Sequence, residues 1–204
     1  MKTPQQELSE IKAIMERSTR FISLSGISGV MAGIYALIAS ALAYYWVYYP
    51  NSPFGFRISY VNNELILMKL VITAIIVLAL SVGTGVYLTK KKTQKLNTKF
   101  WSTTSRRFLF ALFIPILVGG FFTLALIIRG YLIIVAPATL IFYGMGLLNA
   151  SHFTLSDIKY LAYCQIALGI LSAFFPGYGL IFWSLGFGVL HIVYGVTMHL
   201  KYDR

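Results

Sequence analysis

Three polar residues lie inside segments of the sequence that are otherwise apolar: Gln165, His191 and Tyr194. His191 is the best suited to chemistry, because an imidazole can accept or donate a proton near neutral pH. A charged side chain at mid-membrane depth costs about 2.5–3.5 kcal/mol on insertion scales, so we expect His191 to be uncharged. Two interpretations follow. His191 either makes a structural hydrogen bond, with Gln165, Tyr194 or a Ser or Thr hydroxyl as partner, or it handles protons or binds a ligand.

The sequence carries no pattern typical of a catalytic or metal site. GxSxG, HExxH, CxxC and the phosphate-binding P-loop are all missing. No Asp or Glu lies inside an apolar segment, so no buried carboxylate could complete a catalytic triad. For a haem, His152 and His199 are the two histidines that could share one depth, and neither is in a recognisable ligand motif. These absences favour a protein that is not an enzyme, and we predict no metal and no cofactor.

The composition predicts an integral membrane protein. Of the 204 residues, 58% are hydrophobic and 11% are charged. The apolar residues form blocks of about 20, long enough to cross a hydrocarbon core of ~30 Å. The net charge of +11 sits in segments between these blocks and not on one soluble face, which argues against nucleic acid. This distribution of charge is typical of basic loops that set the orientation of a membrane protein and contact anionic lipid at the cytoplasmic face.

The pattern predicts an all-α fold: a bundle of six transmembrane helices preceded by a short amphipathic helix at 1–20. The helices belong to one membrane domain, 21–204, with spans at about 21–49, 65–89, 108–128, 131–149, 158–175 and 180–200. The N-terminal helix either lies on the membrane surface or continues into span one. Pro115, Pro137 and Gly119-Gly120 are expected to interrupt spans three and four as kinks.

The basic residues orient these spans. With six spans, fourteen Lys and Arg residues fall on one side of the membrane, and only Arg57 and Arg129 fall on the other. Because short basic loops stay in the cytoplasm, both termini are predicted to be cytoplasmic. Lys69 lies inside span two, close enough to its outer end for the side chain to reach the headgroups.

Span one carries a stripe of small residues. The steps between them are 3, 4, 3, 4 and 3, which puts all six on one face of a helix: Gly26, Gly29, Gly33, Ala36, Ser40 and Ala43. Small residues allow two helix backbones to approach closely in lipid. The stripe predicts close packing, either against another helix of the same chain or across a homo-oligomer contact.

Two segments, ELSEIKAIMERS and GISGVMAGIYALI, resemble those of small six-helix bacterial inner-membrane proteins that have no assigned function. The resemblance implies a multi-pass protein of the bacterial cytoplasmic membrane and brings no known active residues. Our leading hypothesis is a non-enzymatic module that acts through assembly or sensing within the bilayer. The alternative is a small transporter or channel with a pathway near His191. A membrane enzyme acting on lipid or quinone is the third hypothesis.

Overall fold

The computed structural model of the protein describes residues 25–49, 64–95 and 100–202. The predicted amphipathic helix at 1–20 and the loop at 50–63 lie outside these ranges. Helices form nearly all of the described chain, in the order α1 (Gly26–Val47), α2 (Glu64–Lys95), α3 (Thr103–Ile128), a 3-10 turn (Leu132–Ile134), α4 (Val135–Ala150), a 3-10 turn (Ser151–Phe153), α5 (Ile158–Phe174), α6 (Gly179–Trp183), a π-helical segment (Ser184–Leu190) and α7 (His191–Tyr202).

The all-helical prediction is confirmed for the described ranges. Five helical stretches are long and apolar enough to cross a membrane, and Ile158–Phe174, with 17 residues, is a shorter sixth. The last of the five stretches is Gly179–Tyr202, in which α6, the π segment and α7 follow one another without a break.

Two helices extend beyond their predicted ends because polar residues continue them outside the apolar block. α2 runs on to Lys95, with Lys92 and Lys95 in its last turn, where positive charge complements the helix dipole. α3 begins at Thr103 because Ser102 caps it. The Ser105 backbone N–H donates to Ser102 Oγ at 3.1 Å, and the Ser102 backbone N–H donates to Ser105 Oγ at 2.7 Å.

The helices that contain Pro115 and Pro137 are not broken at these residues, and a kink there stays a prediction. α3 is continuous through Pro115 and through Gly119-Gly120. An internal proline removes one backbone hydrogen bond, and a transmembrane helix can tolerate that loss. Pro137 lies in the first turn of α4, where the backbone N–H groups have no partner within the helix in any case.

The helices pack in two groups that meet at the C-terminal helix. α4 packs against α3 and α5, and α1 packs against α2, the π segment and α7. The apolar core between α4 and α5 consists of Leu147, Ile158, Leu161 and Ala162, and Tyr194 of α7 packs against it. α2 lies at the edge: α1 is its main neighbour, and none of its most apolar window is buried.

Candidate functional site

The small-residue stripe of span one faces the C-terminal helix of the same chain. A Cβ built on Gly33 would lie 2.6 Å from the Gly188 carbonyl oxygen and 2.6 Å from Ile192 Cγ1. One built on Gly29 would lie 3.2 Å from Gly195 Cα. Ala36 and Ser40 are also buried, and Ala43 is partly buried. The backbones at these glycines are close enough that side chains would separate them, so the glycines of the stripe form an internal helix contact.

His191 lies at the first position of α7 and connects three helices near mid-depth. Its Nδ1 is 2.9 Å from the Gly186 carbonyl oxygen, and its Nε2 is 2.7 Å from Tyr143 Oη on α4. Because a carbonyl oxygen only accepts, Nδ1 carries the proton and donates to it. In the neutral imidazole, Nε2 is then the acceptor for the Tyr143 hydroxyl. This tautomer is assigned from the hydrogen-bond geometry.

Gln165 of α5 completes this polar cluster. Its Nε2 donates to the same Gly186 carbonyl at 2.8 Å and lies 3.4 Å from His191 Nδ1. The Tyr143 ring packs against Phe187 with a centroid distance of 5.0 Å and against the His191 ring at 5.4 Å. Four structural elements therefore supply the cluster: α4, α5, the π segment and α7.

The π segment directly precedes His191. π-helical turns are rare and often occur at functional sites. Here the segment contains Gly186, whose carbonyl accepts from two side chains, and Gly188, which contacts Leu37 of α1. A Cβ on Gly186 would lie 2.6 Å from Gln165 Oε1. A glycine at this position lets Gln165 approach the backbone.

Several polar atoms near this cluster are buried without a hydrogen-bond partner among the described residues: Gln165 Oε1, Ser172 Oγ and Tyr194 Oη. Gln165 and Ser172 are 0% and 1% exposed, and their spacing of seven residues puts them on one face of α5. Along the helices the order is Ser172, then Gln165 with His191 and Tyr143, then Tyr194. We call these five residues the polar row. It extends over about 15 Å at 1.5 Å per residue.

The sequence interpretation found part of this row. Of the three residues it proposed, His191 and Gln165 come together. The prediction of Tyr194 as a partner of His191 does not match the structure, since the hydroxyl at Nε2 belongs to Tyr143. Tyr143 is halfway along span four, at the depth of His191, and that depth match was the available signal. Ser172 offered no signal, because a serine near a helix end is ordinary.

A groove of about 320 Å³ opens between α5 and α7 beyond Tyr194. Tyr194, Leu161 and Met198 line it, and Asp157 and Lys201 are at its predicted cytoplasmic end. Lys201 Nζ lies 2.7 Å from Asp157 Oδ2, and Tyr202 Oη donates to the same oxygen at 2.9 Å. The hydrogen bond from Lys201 is the main reason that the pKa of Asp157 is lowered below the usual value of an aspartate, and Tyr202 adds to the effect.

The other polar residues considered from the sequence lie away from this row. Lys69 is on the exposed surface of α2, with its Nζ 5.7 Å from the centroid of the Trp46 ring. His152 is in the 3-10 turn after α4 and lines a separate pocket with Lys159. Cys164 is exposed and not in a disulfide. The described residues contain no group of three or more His, Cys, Asp and Glu that could hold a metal ion.

Comparison of the chain with protein-family models, with curated proteins and with solved structures finds no significant match.

Proposed function

We propose that this protein is a non-enzymatic, multi-pass protein of the bacterial cytoplasmic membrane that provides a pathway for a small polar species, with both termini cytoplasmic. The polar row carries this proposal. Buried polar side chains in a membrane bundle are costly and commonly mark ion or proton pathways. Here three such residues each have a buried polar atom with no hydrogen-bond partner among the described residues. Each unsatisfied buried atom lowers the stability of the folded protein by about 1–3 kcal/mol.

The chemistry of the row favours the proton as the species that passes. The row is closely packed, so a hydrogen-bonded chain of side chains and waters suits it better than an open pore. His191 Nε2 already accepts from a hydroxyl and is the basic atom of the row. Tyr194 leads from this cluster to the groove, where Asp157 and Lys201 meet the predicted cytoplasmic interface.

The experiment is proton flux into liposomes that contain the purified protein and an internal pH dye, driven by a potassium diffusion potential. We expect the wild type to exceed protein-free liposomes. His191→Leu and Gln165→Leu should return the flux to the protein-free rate. The matched control is Thr84→Val, which removes a hydroxyl from α2, outside the row and the groove, where it donates to the Leu80 carbonyl at 2.7 Å. Wild-type flux equal to that of protein-free liposomes would refute the proposal.

Assembly within the bilayer is the second candidate, and the position of α2 favours it. This 32-residue helix has one main neighbour and exposes large apolar side chains along most of its length. Gly83 is exposed on α2, and a Cβ built there would have nothing within 4 Å. A second copy of the chain could approach closely at this point.

Disulfide crosslinking in membranes distinguishes assembly from lipid contact. Gly83→Cys is compared with Gly120→Cys, an equally open glycine on α3, both in a Cys164→Ser background. Crosslinked dimers at Gly83→Cys alone would support assembly through α2. Equal crosslinking at both positions, or none at either, would count against it.

A further inference from the structure

A second pocket, separate from the polar row, lies at the predicted cytoplasmic end between α4 and α5. Its volume is about 280 Å³. It is lined by Leu148, Ser151, His152, Ser156, Lys159 and Tyr163. The polar residues lie in the connection between the helices and in the first turn of α5, and Leu148 and Tyr163 lie one turn further into the membrane.

The positive charge of this pocket comes from Lys159, which is half-buried at the start of α5. At this end of the described chain, Asp157 forms an ion pair with Lys201. The Lys159 ammonium instead lies over the Tyr160 ring, with Nζ 5.1 Å from its centroid. An ammonium held by a ring face keeps donors for an incoming anion.

Side chains, and not the backbone N–H groups at the start of α5, are the groups that can contact an anion in this pocket. The first backbone N–H groups of α5 already donate to carbonyls of the preceding turn: Ile158 to Leu155 at 3.2 Å, and Lys159 to Ser156 at 3.3 Å. Ser151 donates its own proton to the Leu148 carbonyl at 2.6 Å. Lys159, His152 and the exposed Ser156 therefore remain as the groups that can approach an anion.

The surroundings add positive charge. The 3-10 turn that holds His152 packs against α3. α3 carries Arg106 and Arg107 in its first turns, both exposed. Basic groups at the cytoplasmic interface attract anionic lipid, at about 1 kcal/mol for each Lys or Arg near the surface.

The order of the lining residues indicates a lipid more than a soluble anion. Leu148 is four residues before His152, and Tyr163 is four residues after Lys159, so each lies one helical turn deeper than its charged neighbour. The pocket passes from charged to apolar within one turn. A phosphodiester headgroup joined to acyl chains has the same order along its length.

We infer that this pocket binds the phosphodiester headgroup of an anionic phospholipid, with Lys159 and His152 at the phosphate and Leu148 and Tyr163 along the start of an acyl chain. A lipid headgroup and a soluble metabolite can both present a phosphate ester to these residues. A soluble phosphate ester is therefore the competing ligand, and a separate part of the test addresses it. The inference does not depend on the proton pathway, since the pocket and the polar row have no residue in common.

The test is native mass spectrometry of the full chain in detergent, titrated with dioleoylphosphatidylglycerol or dioleoylphosphatidylcholine. We expect wild-type protein to retain phosphatidylglycerol preferentially. Lys159→Gln should weaken that binding by about fivefold, the effect of one interfacial charge. Lys159→Arg should restore it. The matched control is Lys91→Gln on α2, which removes an exposed lysine outside the pocket and should weaken binding less than Lys159→Gln does.

Three results would overturn the inference. The first is equal retention of the two lipids by the wild type. The second is equal loss of phosphatidylglycerol in Lys159→Gln and Lys91→Gln, which would mean general charge attraction. The third comes from the soluble arm, in which glycerol 1-phosphate is added in tenfold excess over the lipid. Displacement of phosphatidylglycerol by this compound would assign the pocket to a soluble phosphate ester. Unchanged melting temperatures of the variants make these results independent of folding.

Discussion

Replacing Tyr143 with Phe tests the hydrogen bond at the centre of the polar row. The change removes one hydroxyl and keeps the ring, which packs on Phe187 and His191 with centroid distances of 5.0 and 5.4 Å. His191 Nε2 would lose its partner at 2.7 Å and remain in a buried site. Orphaning a buried acceptor costs about 1–3 kcal/mol, whereas side-chain hydrogen bonds in membrane proteins average about 0.6 and reach about 1.7 kcal/mol. We expect Tyr143→Phe to destabilise the protein by about 1 kcal/mol.

The assay is reversible unfolding in mixed micelles, with a double-mutant cycle. The cycle combines Tyr143→Phe and His191→Leu, and the coupling free energy isolates the bond between the two side chains. Tyr87→Phe is the control, because Tyr87 is 65% exposed on α2. The reasoning is refuted if Tyr143→Phe costs no more than Tyr87→Phe, or if the coupling free energy is zero within error.

Three further predictions concern packing, charge and orientation. Gly33→Leu should lower the melting temperature in detergent with no change in oligomer size, because its side chain would collide with α7. Gly120→Leu, at an open position on α3, should not lower it, and a melting temperature unaffected by Gly33→Leu would contradict the packing. Because the pKa of Asp157 is lowered, its bond to Lys201 stabilises the folded state above a pH of 3.8, and this stabilisation is lost as the pH falls through the lowered pKa. The melting temperatures of wild type and Asp157→Asn, measured between pH 2 and 7, should therefore converge at low pH. A difference in melting temperature that stays constant over this range would argue against the bond. A cysteine at Lys95 should resist an impermeant thiol reagent in intact cells and react in inverted vesicles, whereas reaction in intact cells would reverse the predicted orientation.

The sequence was sufficient to predict the helical class, because long apolar blocks separated by charges permit few alternatives. It also located His191 and Gln165, since polar residues inside apolar segments are conspicuous. It did not identify Tyr143, because a tyrosine in a membrane helix is equally at home packed among apolar residues. Pairing Tyr143 with His191 requires knowing how α4 and α7 are rotated, and rotation depends on packing between helices distant in sequence.

The π segment was also beyond prediction. Its residues, SLGFGVL, have no preference that separates a π turn from an α turn. The conformation coincides with close contacts at two glycines. Gly186 accepts bonds from Gln165 and His191, and Gly188 contacts Leu37 of α1. The stripe in span one illustrates the same limit. Its spacing predicted a close helix contact, but the identity of the partner helix came only from the three-dimensional arrangement.

Solid-state NMR of histidine-labelled protein in lipid bilayers tests most directly whether His191 belongs to a pathway open to water and protons. The His191→Leu variant assigns the His191 signals, which overlap with those of the two other histidines in the sequence. We predict a neutral ring with the proton on Nδ1 and an acceptor Nε2, an arrangement that fits its bonds to Gly186 and Tyr143. A working pathway further predicts that the Nδ1 proton exchanges with deuterated water within hours. A proton that persists for days while the spectrum shows the same neutral ring would mean that His191 is sealed in a dry core, and that its role is structural.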